Sequence, residues 1–172
     1  TNSILSKNNN RRFVYAIIKG IPFSACDSFY SFSFKLMNDK CAAGTGRFLE
    51  MMAASLGFTI AEFGQKALQG SDRIKINSMC TVFAESEVIS LKNRGVNPLD
   101  ISRAIHLSVV EKIIALLHRL GIQERVVFSG GVAKNLCIVK MLEANLDIKI
   151  YVPDAPDVIG AIGSALFAER QN

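Results

Sequence analysis

The sequence has no apolar run close to the roughly 18 residues that a membrane-spanning helix needs. It also has no secretory signal near its start. The apolar run Phe13–Ile18, which follows Arg11 and Arg12, is shorter than the apolar region of a signal peptide and leads to no clear cleavage site. These absences predict a cytoplasmic protein with no membrane partner.

Features of nucleic-acid-binding proteins are missing as well. The net charge is only +5 over 172 residues, and the lysines and arginines are scattered along the chain rather than gathered in a patch. The sequence has neither an aromatic RNA-binding motif nor zinc-finger spacing. We therefore interpret the positive charge as a solvated surface and expect no nucleic-acid partner.

The four cysteines, Cys26, Cys41, Cys80 and Cys137, include no C-x-x-C pair. A zinc or ferredoxin-type site built by one chain therefore has no support in the sequence. Disulfides are rare in cytoplasmic proteins. Each cysteine is accordingly either a small core residue or a chemically used thiol.

The residues that are present indicate one folded α/β domain. Hydrophobic residues make up 49% of the chain and charged residues 20%, which fits a globular protein with a sizeable core. Apolar strands alternate with segments of helical periodicity. The predicted strands are Phe13–Ile21, Ser28–Met37, Arg125–Phe128 and Ile148–Val152, and Arg73–Ile76 is predicted to be a short extended piece. The predicted helices are Arg47–Leu56, Ile60–Gln69, Val82–Asn93, Leu99–Leu120, Ala133–Ala144 and Val158–Glu169.

Cys41 and Cys80 each precede a predicted helix. A helix N-terminus presents free N–H groups and the positive end of the helix dipole, which favour a thiolate and an anionic cluster held by thiolates. Two thiolates are half the ligands of a [4Fe–4S] cluster, and a two-fold dimer would supply the other two. On spacing alone, the alternative is that two cysteines lie near helix starts by chance.

A second candidate site follows the apolar strand that ends at Phe128. The chain continues as Ser129 and then Gly130–Gly131 before the next predicted helix. Glycines let a backbone approach a nucleotide closely, and a helix N-terminus favours its anionic groups. A plain strand–turn–helix junction gives the same pattern, and no G-K-[ST] follows as in a P-loop. His106 and His118 have no ligand-type neighbours in sequence, so we expect ordinary core or surface histidines.

Four motifs follow one another between about Leu36 and Ala168. They are NDKCAAGTGRFLE (Asn38–Glu50), CTVFAESEVISL (Cys80–Leu91), VVFSGGVAKN (Val126–Asn135) and VPDAPDVIGAIGSALFA (Val152–Ala168). Together they resemble the activators of 2-hydroxyacyl-CoA dehydratases, which belong with the ATPase subunits of benzoyl-CoA reductase in the BadF/BadG/BcrA/BcrD family. The first two motifs are the more specific ones.

The resemblance implies the actin-like fold shared by acetate and sugar kinases, Hsp70 and actin. This chain would supply mainly its second lobe, a mixed sheet flanked by helices. The resemblance also implies a homodimer with one [4Fe–4S] cluster between its subunits, and Cys41 and Cys80 match the ligand positions. The Gly130–Gly131 turn matches the adenosine-side glycine loop of the family. The expected nucleotide-binding residues are therefore Gly44, Thr45, Gly46, Gly130 and Gly131, whereas Cys26 and Cys137 match no ligand position.

The activity implied by the resemblance is electron transfer driven by ATP with Mg²⁺. One low-potential electron would pass from a donor such as ferredoxin or flavodoxin to a dehydratase or reductase that acts on an acyl-CoA. Residues 1–35 are atypical and match neither phosphate-binding loop of the family, and Asp27 is at best a remnant. We expect a family domain over residues 36–172, a largely absent first lobe and impaired ATP hydrolysis. The alternatives are a non-enzymatic iron–sulfur or interaction module and a small-molecule kinase relative of the same fold.

Overall fold

The computed structural model describes residues 14–17, 46–76, 81–120 and 126–171. Helices outnumber strands in this part of the chain, and the two types alternate in its second half, as the predicted α/β class requires. The elements are β1 Val14–Ile17, α1 Gly46–Leu56, α2 Ile60–Leu68, α3 Thr81–Asn93, α4 Pro98–Leu120, β2 Val126–Ser129, a 3₁₀ helix Gly131–Lys134, α5 Leu136–Leu146, β3 Ile150–Tyr151 and α6 Ile159–Gln171.

The described strands form one parallel sheet in the order β1-β2-β3. Val126 of β2 lies opposite Val14 of β1 on one side and Ile150 of β3 on the other. Because the strands are parallel, their carboxyl ends lie at the same edge of the sheet. The loop that begins at Gly130 leaves the middle strand at this edge, which is where open α/β sheets bind their ligands.

Helix α4 is the centre of the hydrophobic core. It contacts α1, α2, α3 and α5, which explains why apolar residues are needed on more than one of its faces. At its start, the Asn97 side chain accepts a hydrogen bond from the N–H of Leu99 at 2.9 Å. The prediction of a long, core-forming helix is confirmed. Its buried apolar residues include Ile101, Ile105, Val109, Ile113 and Leu117.

The end of α2 lies against the start of α4, and a glycine permits this approach. A Cβ added at Gly70 would clash with the carbonyl oxygen of Leu99. The next residue, Ser71, donates from its N–H and its hydroxyl to the Asp100 carboxylate, at 2.7 and 2.9 Å. Asp100 lies in the first turn of α4, where a negative charge also favours the helix dipole.

Some predicted boundaries differ from the structure. The helix predicted over Ala133–Ala144 begins only at Leu136, because residues 131–134 form a 3₁₀ helix and Asn135 has extended backbone angles. The short extended piece predicted over Arg73–Ile76 has no regular secondary structure. The strand predicted over Ser28–Met37 lies outside the described residues. Within residues 14–17, 46–76, 81–120 and 126–171, no helix is long and apolar enough to cross a membrane.

Candidate functional site

The loop after β2 exposes its backbone at the carboxyl edge of the sheet. Gly130 has φ 96° and ψ 169°, a conformation open to glycine and strained for other residues. Its N–H donates to the carbonyl oxygen of Pro156 at 2.6 Å. A Cβ added at Gly131 would meet no described atom within 4 Å. The turn is thus fixed on one side and open on the other, as a loop that receives a ligand must be.

Lys134 adds a second tie between this loop and the segment before α6. Its ammonium group lies 2.7 Å from the carboxylate of Asp157. The hydrogen bond from Lys134 holds the pKa of Asp157 below its ordinary value, with a smaller contribution from the backbone N–H of Asp157. Both side chains are about half exposed, so the pair is a polar rim of the loop rather than part of the core.

Helix α1 begins beside the same loop. A Cβ added at Gly46 would lie 3.6 Å from a methyl carbon of Val132. Of the five residues expected at a nucleotide, the structure describes Gly46, Gly130 and Gly131, and it places Gly46 against the side chain of Val132, the residue after Gly131. Gly44 and Thr45 lie outside the described residues. The first residue of α1, at the positive end of the helix dipole, thus lies next to this loop.

Asn135 joins the loop to the helix that follows it. Its side-chain oxygen accepts hydrogen bonds from the N–H groups of Cys137 and Ile138, at 3.1 and 3.3 Å, and so caps α5. Its side-chain nitrogen lies 2.9 Å from Nε2 of His106. The sequence predicted a core or surface histidine at position 106; the structure places it in the core and adds this partner, which the sequence did not reveal. An asparagine directly before a helix was the one local signal of a cap.

The tautomer of His106 follows from its two contacts. Nδ1 lies 2.7 Å from the carbonyl oxygen of Ser102, which can only accept, so Nδ1 carries the proton. Nε2 is then free to accept from Asn135. The side chain is buried, and this burial lowers its pKa to about 4, against the raising effect of the Ser102 carbonyl. The imidazole is therefore neutral near pH 7.

The candidate cluster ligands Cys41 and Cys80, and also Cys26, lie outside the described residues. The helices that follow the two candidate ligands, α1 and α3, are in contact with each other. Near their C-terminal ends, Lys92 of α3 donates to the carbonyl oxygen of Ser55 in α1 at 2.8 Å. Among the described residues, no group of three or more His, Cys, Asp or Glu side chains is placed to hold a metal ion.

Cys137 is the cysteine that the structure describes. It is buried, with its sulfur 3.8 Å from that of Met141, and burial raises its pKa to about 11. A thiol in this state is protonated near pH 7 and is a poor ligand. This arrangement agrees with the prediction that Cys137 is a core residue.

Comparison with known proteins decides the family. Residues 33–168 match the BadF/BadG/BcrA/BcrD ATPase family. The chain belongs to this family. It is 46% identical over 133 residues to the 2-hydroxyisocaproyl-CoA dehydratase activator of Clostridioides difficile, a match that covers 77% of this chain and 50% of the activator. It is 47% identical over 132 residues to the activator of lactoyl-CoA dehydratase of Anaerotignum propionicum, covering 77% and 51%.

This family member spans about half the length of these curated relatives. Among solved structures it resembles the Clostridium difficile activator of the 2-hydroxyisocaproyl-CoA dehydratase with bound ADPNP. The TM-score is 0.73 at 45% identity, and the match covers 79% of this chain and 52% of that one. The likeness to activator structures confirms the actin-like fold that the sequence motifs predicted.

Proposed function

We propose that this chain contributes to an ATP-dependent activator that passes single electrons to an enzyme acting on a 2-hydroxyacyl-CoA or benzoyl-CoA. The observation that carries this proposal is the open Gly130–Gly131 turn, with the start of α1 beside it. The relatives named as dehydratase activators support it.

The nucleotide would lie against the loop after β2. The bare backbone at Gly131 leaves room for a flat ring or a sugar, and the Lys134 ammonium adds positive charge at the rim. Free N–H groups at the start of α1 provide further donors for an anionic ligand. The donor set and the open space both fit a nucleoside di- or triphosphate, and a similar solved structure holds ADPNP.

Cys41 and Cys80 would hold the cluster, each protomer of a homodimer giving two thiolates. The described residues fit this arrangement in one respect: α1 and α3, which follow these cysteines, pack against each other and are tied by Lys92 and Ser55. Such packing keeps two separate loops in a fixed relation. A [4Fe–4S] cluster supplies one-electron redox chemistry at low potential.

Helix α1 is the proposed connection between the two sites. Its first residue, Gly46, lies beside the nucleotide loop, and the segment before it carries Cys41. A change of loop shape on ATP binding or hydrolysis would therefore reach the cluster ligand through the start of α1 and the few residues that precede it in sequence. A ferredoxin or flavodoxin would supply the electron, and an acyl-CoA dehydratase or reductase would accept it.

The test is anaerobic purification followed by reconstitution with iron and sulfide. We expect about four irons per dimer, as one shared [4Fe–4S] cluster requires, with loss of iron in Cys41→Ser and in Cys80→Ser. Cys26→Ser and Cys137→Ser are the matched controls and should keep it. A folded dimer without iron above background would refute the cluster. Iron binding without any ATP or ADP binding would instead favour a non-enzymatic iron–sulfur module.

A further inference from the structure

A buried histidine connects the candidate nucleotide loop to the middle of the core. His106 lies in α4, and Asn135 stands between the 3₁₀ helix of the loop and α5. Their side chains meet at 2.9 Å. The function proposed above gives neither side chain a task.

The polar atoms of this pair allow one arrangement. The Asn135 oxygen is occupied by two N–H donors of α5, and its nitrogen faces Nε2 of His106. Turning the amide over would place its NH₂ group against those two N–H groups and lose the cap. Nδ1 of His106 carries the proton and donates to the Ser102 carbonyl oxygen, so Nε2 is the one acceptor that the ring offers. The two N–H groups of α5 and Nε2 of His106 therefore favour the same orientation of the asparagine.

Helix α2 closes the remaining sides. The ring of Phe63 lies 4.6 Å from that of His106, centre to centre. A Cβ added at Gly64 would lie 2.6 Å from the Asn135 oxygen, so the helix backbone itself forms the wall of the amide's site. The asparagine is thus partly buried and in contact with α2, α4 and α5.

The two ends of the loop are consequently fixed in different ways. At its start, the Gly130 N–H donates to the carbonyl oxygen of Pro156, in the segment before α6. At its end, Asn135 is held from the core by His106. The residues between, which include the open Gly131, have their path set by these two anchors.

We propose that His106 is a positioning residue for nucleotide binding. Through Asn135 it fixes the shape of the Gly130–Lys134 loop, although it touches no ligand itself. This inference rests on the nucleotide site proposed above. It predicts that nucleotide affinity depends on a side chain buried in α4, behind the loop.

Three variants of the full chain separate positioning from general stability. His106→Phe keeps a planar ring beside Phe63, although a somewhat larger one, and offers no acceptor to Asn135. His106→Gln restores an acceptor. Ser108→Ala is the matched control, because it removes a buried hydrogen bond, from the hydroxyl to the Ile105 carbonyl at 2.8 Å, that involves α4 alone.

Two measurements are made on each variant: amide hydrogen exchange without nucleotide, and ADP affinity by calorimetry. We expect exchange of the Cys137 and Ile138 amides to accelerate about tenfold in His106→Phe, as for a lost helix cap. ADP affinity should also fall by up to about tenfold, as expected if the variant loop holds its binding shape about a tenth as often as the wild-type loop. His106→Gln should recover most of both, and Ser108→Ala should change neither.

Equal exchange in wild type and His106→Phe, or acceleration spread evenly over α4 and α5, would overturn the inference. Faster exchange with unchanged ADP affinity would overturn it too. A wild-type chain that binds no ADP would refute the proposed function instead, and the exchange rates would then decide whether His106 fixes the loop. If His106→Phe does not fold, Asn135→Ser tests the same contact from the loop side, because it keeps a side-chain oxygen that can cap α5 and removes the amide nitrogen that meets His106.

Discussion

Helices α4 and α6 both carry apolar residues at helical spacing, but the structure uses them in opposite ways. The apolar residues of α4 are buried among four other helices. Val158, which precedes α6, and Ile162 and Leu166 within it are each exposed by 43–47%. Among the side chains of α6 that the structure describes, none is buried. Apolar periodicity therefore identifies the apolar face of a helix. It does not tell whether other described parts of the chain pack against that face.

The sharpest test of this contrast shortens an isoleucine in each helix. Ile105→Ala in α4 removes a fully buried side chain and should lower the free energy of unfolding by about 3 to 4 kcal/mol. Ile162→Ala in α6 removes a half-exposed one and should cost less than about 0.5 kcal/mol. Urea denaturation of both variants gives the comparison. Similar losses in the two would show that α6 is packed in solution.

Glycine substitutions probe the same contrast through the backbone. Gly70→Ala forces a Cβ onto the carbonyl of Leu99 at the start of α4 and should destabilise by about 2 to 3 kcal/mol. In α6, a Cβ added at Gly163 meets no described atom within 4 Å. Gly163→Ala should therefore be neutral or stabilise by up to about 1 kcal/mol, because alanine favours a helix. Thermal melts of this pair measure the difference, and a stable Gly70→Ala variant would contradict the close approach.

The buried histidine gives the α4 core a dependence on pH. The pKa of His106 is lowered from 6.5 to about 4 by burial, so on acidification the unfolded chain takes up the proton first. The contribution of the neutral His106 to the free energy of unfolding is therefore fully present above about pH 6.5 and is lost as the pH falls toward 4. We expect a loss of about 2 kcal/mol between pH 7 and pH 5, measured by urea denaturation at each pH.

His106→Phe is the control for this pH dependence. Its free energy of unfolding should change less between pH 7 and pH 5 than that of the wild type. The carboxylates with lowered pKa values, Asp72, Asp100 and Asp157, titrate below the ordinary value of 3.8 and so act at lower pH. An unchanged slope in His106→Phe would assign the acid sensitivity to other groups.

The smallest effect is expected at the rim of the loop. Asp157→Asn removes the charge partner of Lys134, and both side chains are about half exposed. Exposed ion pairs contribute little to stability and are screened by salt. The melting temperature should stay within experimental error of the wild type at physiological salt. A clear drop in the melting temperature would show that the ties between the loop and α6 stabilise more than their exposure suggests.

Much of the fold could be predicted from the sequence. Helices α1 to α4 agree with the prediction to within one residue at each end, since clear periodicity and glycine stops mark them. The start of α5 was predicted too early, because the apolar residues Val132 and Ala133 continue the helical pattern into the 3₁₀ turn. The contact between His106 and Asn135 joins residues 29 apart, and no local pattern reports such a pairing.

The candidate site likewise has features that could be predicted from the sequence and features that could not. The glycine loop could be predicted because a turn of this kind has a local composition, and the structure adds its anchors. The contact between Gly46 and Val132 could not be predicted from the sequence, because it depends on how α1 packs against the loop. That packing is set by the whole core. Cys41 and Cys80 stay predictions, since they lie outside the described residues.

The missing side chain at Gly64 has a consequence for how this sequence can evolve. Because the backbone of α2 forms the wall of the Asn135 site, any larger residue at position 64 collides with the amide oxygen. A larger residue at position 64 would therefore push the Asn135 side chain out of the position in which it caps α5. We expect relatives with a larger residue at position 64 to have a shorter residue at position 135, although 71 residues separate the two positions in sequence.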